Sequence, residues 1–206
     1  MNGKTSTARR STVHGPEAQE QILEAVDELF YREGSRAVGV DAVAKRARLN
    51  KMALYRQFQS KEGLLLHYLD RNDKRFWGYI EGSIAKHPGD PAKQLHQIFV
   101  DLAPRASRPG YRGCPFVNVA VEYPDPEHPG RKMVAGNKSQ LLARFAEIAE
   151  QTDARDPALL ANGLALLIEG VYAGSQTYAP GHPLITTAPN VARAMIEAAT
   201  GRPLAA

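Results

Sequence analysis

Apolar residues recur along most of this chain at intervals of three and four positions, which is the spacing of one face of an α-helix. The first such pattern predicts a helix over residues 17–33, with Pro16 just before it and Gly34 directly after it. No stretch alternates apolar and polar residues as a half-buried strand does, and no Asn-Gly or Asp-Gly pair joins two strand-like segments. The chain is therefore predicted to be all-α.

The later helices have recognisable start signals. Ser60 is a predicted N-cap for a long helix that reaches residue 80 or 81, and the Asp-Pro pairs that begin at Asp90 and Asp156 each predict a capped helix start. Further helices are predicted over residues 115–122, from 128 or 129 to 151 and over 188–200, with loops at 105–113 and 180–183. The total is about nine helices, of which the first three form a small domain and the others a larger one.

Residues 40–58 combine two short helical patterns with a tight turn between them. Residues 47–50 separate the two patterns and are too few for any structure but a turn. Two short helices joined by three or four residues form a helix-turn-helix, whose second helix lies in a DNA major groove. The polar positions here are basic, namely Lys45, Arg46, Arg48, Lys51 and Arg56, with Lys61 just beyond. The segment is therefore predicted to be the DNA-reading element.

The charge distribution agrees with this prediction. Residues 1–61 hold 11 Lys and Arg against 7 Asp and Glu, whereas residues 62–206 hold 15 of each, so the whole net charge of +4 lies in the N-terminal segment. A local basic surface is what a phosphate-binding module needs. No apolar run approaches the roughly 20 residues that span a bilayer, and the N-terminus lacks the apolar part of a signal peptide. We therefore expect a cytoplasmic protein that does not enter a membrane.

Eighteen positions, in order and spacing, extend the pattern to a known family. They are Ile22, Leu29, Phe30, Gly34, Val43, Ala44, Ala47, Leu49, Lys51, Leu54, Tyr55, Arg56, Phe58, Ser60, Lys61, Glu62, Leu64 and Leu65. Together they resemble the N-terminal domain of TetR-type transcriptional regulators. The resemblance implies a homeodomain-like three-helix DNA-binding domain at 16–76 with its helix-turn-helix at about 39–58, and a helical ligand-binding and dimerisation domain at 77–206. It also implies a homodimeric repressor that small molecules release from a palindromic operator. Residues 1–15, which show no apolar periodicity, are predicted to be a flexible basic arm.

Five residues of the helix-turn-helix depart from the pattern of that family, among them Met52 and Ala53, which replace smaller or hydroxylated residues. Arg48 stands at the turn position that is usually Gly, and a left-handed backbone there costs of order 1 kcal/mol for a residue with a side chain. Val40 replaces the usual Thr or Ser and removes a hydroxyl that could contact a phosphate. Asn50 replaces the usual Ser but can still cap the third predicted helix, which is the second of the helix-turn-helix.

The DNA-binding residues are expected to divide into two roles, because phosphate contacts position a protein while base contacts specify the sequence. Phosphate contacts are expected from Arg48, Lys51, Tyr55 and Lys61, and also from Arg36 and Arg46. Base contacts are expected from Arg56 and Gln57, and contact with a thymine methyl group from Met52 or Ala53. Arg9 and Arg10 of the arm could enter a minor groove.

The larger domain contains candidates for a ligand pocket and for a dimer interface. A small apolar or amphipathic ligand would lie among large apolar residues with a few polar ones, as ligand sites usually do. The candidate pocket residues are Trp77, Phe99, Cys114, Phe116, Asn118, Glu122, Phe145, Tyr172 and Gln176. The dimer interface is expected on the last two long helices, with Leu167, Gly170, Val171, Gly174, Ala194 and Met195 as its candidates.

No catalytic constellation is evident, and neither a metal site nor a cofactor is expected, because the six histidines show no paired spacing. Cys114, the one cysteine, leaves two alternatives open. It could make the protein a thiol-responsive rather than a ligand-responsive DNA-binding protein, or it could serve as the nucleophile of a helical enzyme. A DNA-binding protein that uses no ligand is a further alternative.

Overall fold

The computed structural model describes residues 15–204, and the described chain is helical with no strand. Its helices are α1 (Pro16–Glu33), α2 (Val40–Arg46), α3 (Lys51–Phe58), α4 (Lys61–Ile84), α5 (Pro91–Ala106), α6 (Pro115–Glu122), α7 (Pro129–Glu150), α8 (Pro157–Thr177), α9 (Pro183–Thr186) and α10 (Ala188–Thr200). The all-α prediction is confirmed, since nine of these helices match the predicted ones and α9 is a single turn. The predicted arm at 1–15, with Arg9 and Arg10, lies outside the described residues apart from Gly15.

The predicted helix starts are capped by local hydrogen bonds. The side chain of Ser60 accepts from the N–H of Gly63 at 3.0 Å. The Asp90 carboxylate accepts from the N–H of Lys93 at 3.0 Å, and Asp156 caps α8 in the same manner. Each cap satisfies a backbone donor that the first helical turn leaves free, which is why these residue types predict where helices begin.

Two helices run further than their sequence patterns indicated. Helix α4 continues to Ile84 because both Ser83 and Ile84 are buried, and the Ser83 hydroxyl donates to Asp101 of α5 at 2.7 Å. Helix α5 ends at Ala106, which shortens the loop predicted from residue 105. Tertiary packing supplies these extra turns, so the residues nearby in sequence could not indicate them.

The small N-terminal unit is built on α1. Its buried face, which includes Ile22, Val26 and Phe30, belongs to a core shared with Leu54 and Phe58 of α3. Helix α4 packs on α1 as well and then continues to α5 and α7, so residue 76, the predicted domain boundary, lies inside one continuous helix. The two predicted domains are therefore joined by a helix rather than by a linker.

The larger unit is built around α5, α7 and α8. Helix α7 packs along α8, and α10 packs against both α5 and α8. Phe99 of α5 and Phe145 of α7 meet in the middle, with their ring centroids 6.5 Å apart. The C-terminal end of α10 is closed by Gly201 in the left-handed conformation, with φ 68°.

Candidate nucleic-acid interface

Helix α3 presents one face to the core and the other to solvent. Leu54 and Phe58 are buried, whereas Lys51, Met52, Tyr55 and Arg56 are exposed, with Met52 exposed by 69%. Ala53 and Gln57 lie between these faces and are half-buried. Asn50 caps the helix by accepting from the N–H of Ala53 at 2.8 Å, as its residue type predicted. The outer face thus brings the residues predicted to contact bases together on a helix that packing holds in place.

The turn between α2 and α3 keeps a regular geometry although it contains no glycine. Arg48 adopts φ 58°, in the left-handed region. The N–H of Leu49 donates to the carbonyl of Ala44 at 2.9 Å, and the N–H of Arg48 donates to the carbonyl of Lys45 at 3.1 Å. This pair of hydrogen bonds is the Schellman motif, which normally ends a helix with glycine. The departure at Arg48 therefore adds backbone strain without distorting the turn.

The cations of this surface divide into those with partners in the chain and those without. Arg46 forms an ion pair with Glu28 of α1, and Lys51 pairs with Asp41 at 2.7 Å. Lys61 donates to the backbone carbonyl of Arg36 at 2.9 Å. Over residues 15–204, the exposed side chains of Arg48 and Arg56 have no such partner. These two guanidinium groups can bind DNA without first giving up a contact.

The loop between α1 and α2 is attached to α6 through Glu122. The Glu122 carboxylate accepts from the Ser35 hydroxyl at 2.6 Å and from the N–H of Arg36 at 2.7 Å, while the Arg36 guanidinium donates to the Glu122 carbonyl at 3.1 Å. Partial burial lowers the pKa of Lys61 nearby, and the Glu122 charge opposes that shift. We call these four residues, Ser35, Arg36, Lys61 and Glu122, the α6 anchor. Glu122 is thus a link between α6 and the loop before α2, and it is not among the residues that line the cavity described next.

A cavity of about 400 Å³ lies between the N-terminal unit and the larger one. Its walls come from Asp27 and Tyr31 of α1, from α4 between residues 72 and 79, from residues 105–116, and from Tyr172 of α8. Three predicted pocket residues, Cys114, Phe116 and Tyr172, line it. The arginines of the wall and its tyrosines other than Tyr172 were not predicted, although the segment 108–114, which contains Arg108 and Tyr111, could have indicated two of them.

The other predicted pocket residues lie elsewhere. Phe99 and Phe145 are fully buried in the core, and neither lines this cavity. Trp77 lies at a shallow groove between α4 and α7. Asn118 donates to the carbonyl of Arg112 at 2.9 Å, and Gln176 is exposed on α8. A sequence shows that such residues favour burial, but it does not show where the packing leaves a space.

Cys114 is a buried thiol in a cationic setting. It is 2% exposed, and burial raises its pKa, although the ammonium group of Lys138, 3.7 Å from Sγ, opposes that shift. Lys138 in turn pairs with Glu169 at 2.6 Å. A protonated and enclosed thiol is a poor nucleophile. The geometry therefore gives little support to either alternative built on Cys114.

The predicted dimer residues all lie on α8 or α10, but they differ in how exposed they are. Val171 and Gly174 are buried within the chain, where an added methyl at Gly174 would meet Leu184 of α9. Gly170 and Ala194 are exposed, and Leu167 and Met195 are half-buried. Only these last four have surface to offer, together with Leu159 and Leu166 of α8, which are exposed by 69% and 75%.

Comparison with known proteins decides the family. Residues 22–68 match the model of the bacterial regulatory proteins of the tetR family. A solved structure of a TetR transcriptional regulator of Streptomyces avermitilis, sav143, is 31% identical, with 85% of this chain and 97% of that chain covered and a TM-score of 0.68. The chain belongs to the TetR family of transcriptional regulators. Helices α2 and α3 are accordingly the helix-turn-helix of a DNA-binding regulator, as the sequence predicted.

Other members of the TetR family show how far the likeness extends. SCO4454, a TetR-family transcriptional regulator from Streptomyces coelicolor, has a TM-score of 0.84 and is 27% identical, with 89% of this chain and 96% of that chain covered. An HTH-type transcriptional regulator of Mycobacterium tuberculosis, Rv1255c, is 33% identical over 89 residues. That match spans 43% of this chain and 42% of the mycobacterial protein. The similarity to SCO4454 therefore shows that the fold is shared over nearly the whole chain, whereas the mycobacterial match covers less than half of it.

Proposed function

We propose that this TetR-family protein is a homodimeric repressor that binds a palindromic operator and is released from it by a small molecule. The observation that carries the proposal is the exposed face of α3, where Met52, Tyr55 and Arg56 project from a capped helix whose other face is in the core. A helix held in this way can enter a major groove with its side chains directed at base edges.

The two guanidinium groups without partners suggest a division of labour. Arg56 lies on the outer face of α3, where it could make a bidentate contact with guanine, worth roughly 1–3 kcal/mol of discrimination. Arg48 lies in the turn before α3, where it could reach a phosphate. Lys51 and Arg46 would have to exchange an ion pair for a phosphate, and Lys61 a hydrogen bond, so we expect these three to contribute less.

Helix α8 supports the proposed dimer. By length and composition alone, this helix could span a membrane, because its most apolar 18-residue segment has a mean hydropathy of 1.4. Only 39% of that segment is buried within the chain, so much of it remains uncovered. It also packs along α7 and α10 as a core helix does. Its uncovered positions Leu159, Leu166 and Gly170 recur at helical spacing, and α10, which packs on α8, also exposes Val191 and Ala194. A second copy would cover this α8–α10 face and place two reading helices on one operator.

The position of the cavity supports release by a ligand. Asp27 and Tyr31 belong to α1, whose core also holds α3, and Asn72 and Phe76 belong to α4, which joins the two units. A molecule in this cavity would therefore touch the helices that set the position of the reading helix. It can shift the protein from its DNA-binding form only if it binds the other form more tightly.

Selection of bound sequences from random double-stranded DNA tests the proposal. We expect a palindromic consensus with half-sites about one helical turn apart. Arg56→Ala should relax the consensus at one position in each half-site, whereas Arg48→Ala should weaken binding to all sequences alike. The two variants serve as matched controls, because each removes one guanidinium that is free in the chain. A consensus without dyad symmetry, or equal losses on operator and random DNA for both variants, would contradict the proposal.

A further inference from the structure

We propose that the cavity beside α1 is a site for a small organic anion with a planar apolar body, such as an aromatic carboxylate. The inference rests on the proposed function in that it takes this cavity to be the inducer site. It goes further by assigning the chemical class of the ligand. The volume of about 400 Å³ lies in the range of ligand sites, roughly 300–1,000 Å³.

The charged residues of the wall favour an anion. Arg75, Arg105 and Arg108 line the cavity, and Asp27 is the one acidic residue in its described lining. Arg75 pairs with Asp27 at 2.7 Å, and Arg71, outside the cavity, also pairs with Asp27 at 2.9 Å. Among residues 15–204, neither Arg105 nor Arg108 forms an ion pair with a carboxylate. The cavity therefore has two cationic groups that form no ion pair with a described carboxylate, although Arg105 also has a hydrogen bond with the Tyr111 side chain.

The remaining wall suits a flat apolar body. Phe76, Phe116 and Tyr172 line the cavity, and the guanidinium carbon of Arg105 lies 4.1 Å from the ring centroid of Tyr79. A planar guanidinium that already stacks on one ring can present its free edge to a carboxylate in bidentate geometry. Burial raises the pKa of Tyr31 and of Tyr172, so these phenols stay protonated and bring no competing negative charge.

The same geometry indicates how an anion would act on the reading domain. The pair between Asp27 and Arg75 joins α1 to α4 at the cavity wall. A ligand carboxylate beside Arg75 competes with Asp27 for its guanidinium, and Asp27 keeps Arg71 as a partner. Binding of an anion thereby loosens one of the two cationic contacts that Asp27 of α1 makes with α4.

Isothermal titration of the full-length protein with three pairs of probes tests this inference. The pairs are benzoate and benzamide, 3-phenylpropionate and its amide, and 2-naphthoate and 2-naphthamide. We expect at least one carboxylate to bind about tenfold or more tightly than its amide, since hydrogen bonds to a charged group are roughly twice as strong as neutral ones. Arg105→Gln and Arg108→Gln should each weaken that carboxylate about tenfold, while Arg155→Gln, an exposed arginine outside the cavity, should leave its affinity unchanged.

Several results would overturn the inference. They are an amide that binds as tightly as its carboxylate, no carboxylate with a Kd below about 10 mM, or wild-type affinity in both cavity variants. Circular dichroism and thermal unfolding of each variant exclude misfolding, and Arg105→Lys, which keeps the charge, should lose less affinity than Arg105→Gln. The DNA selection described above remains a separate test. A palindromic consensus without any preference for carboxylates would reject the ligand class alone, whereas the absence of a consensus would reject the repressor.

Discussion

Arg48 shows how a single residue can carry a cost in the folded chain and a benefit in the complex. Its backbone is left-handed at φ 58°, where a residue with a side chain is disfavoured by roughly 1–2 kcal/mol. The Schellman hydrogen bonds around it are nevertheless intact. Since its guanidinium has no partner elsewhere in the described chain, contact with a phosphate is the role that would explain an arginine here.

Arg48→Gly separates the cost from the benefit. Glycine relieves the strain but adds freedom to the unfolded chain, worth about 0.4–1 kcal/mol, so we expect the free energy of unfolding to stay within about 1 kcal/mol of wild type. We expect operator affinity to fall and the slope of log K against log salt to decrease by about 1 for each half-site phosphate lost. Chemical denaturation and fluorescence anisotropy at several salt concentrations measure the two effects.

Arg48→Lys is the control for this prediction, because it keeps the charge and the strain together. It should retain the salt dependence of the wild type. A salt slope that is unchanged in Arg48→Gly would show that Arg48 contacts no phosphate.

At the scale of helices, the sequence predicts contacts that are close along the chain and misses those that are distant. The caps at Asp90 and Asp156 join residues three positions apart, so the Asp-Pro pairs were sufficient to locate the starts of α5 and α8. Glu122 contacts Ser35 and Arg36 over 87 and 86 positions. No periodicity reports such a pairing, and for that reason Glu122 was assigned to a pocket rather than to the α6 anchor.

The α6 anchor is expected to stabilise the loop before the helix-turn-helix. Glu122→Gln removes the negative charge that accepts from the Ser35 hydroxyl and the Arg36 N–H, and hydrogen bonds to charged groups contribute about 1.5–3 kcal/mol. Because the amide still offers one acceptor oxygen, we expect a loss of about 1 kcal/mol in the free energy of unfolding. We also expect faster amide hydrogen exchange at Arg36, which exchange measured by nuclear magnetic resonance can detect.

Glu127→Gln is the matched control for the α6 anchor. Glu127 is exposed in the turn after α6 and pairs with Lys132 of α7 at 2.9 Å rather than with the loop before α2. Its substitution should leave the exchange at Arg36 unchanged and cost little stability, as surface ion pairs contribute little. Equal effects of the two substitutions would contradict a special role for Glu122.

For the whole molecule, the α8–α10 face can be inferred from the composition of one helix, whereas the cavity depends on contacts between distant parts of the chain. Helix α8 is apolar on nearly every side, and the chain covers only part of it, so its sequence alone suggested a further partner. The cavity depends on the path of residues 105–116 across α1 and α4, which no local pattern specifies. The sequence could therefore indicate that α8 has apolar surface left for a partner, but not which of its residues remain uncovered.

Leu166→Glu tests the proposed dimer with a single substitution. Leu166 is 75% exposed in the chain, so a charge there should change the stability of the fold by no more than about 0.5 kcal/mol. In a dimer that buries this face, the same charge would lie in an apolar interface opposite its symmetry mate, at a cost of several kcal/mol. We therefore expect a folded monomer in sedimentation equilibrium, with binding to a palindromic operator weakened far more than binding to a half-site.

Val121→Glu is the control, because Val121 is 80% exposed on α6, away from α8 and α10, and its substitution should leave the dimer intact. A dimeric mass for Leu166→Glu, or equal dissociation in both variants, would place the interface on another surface.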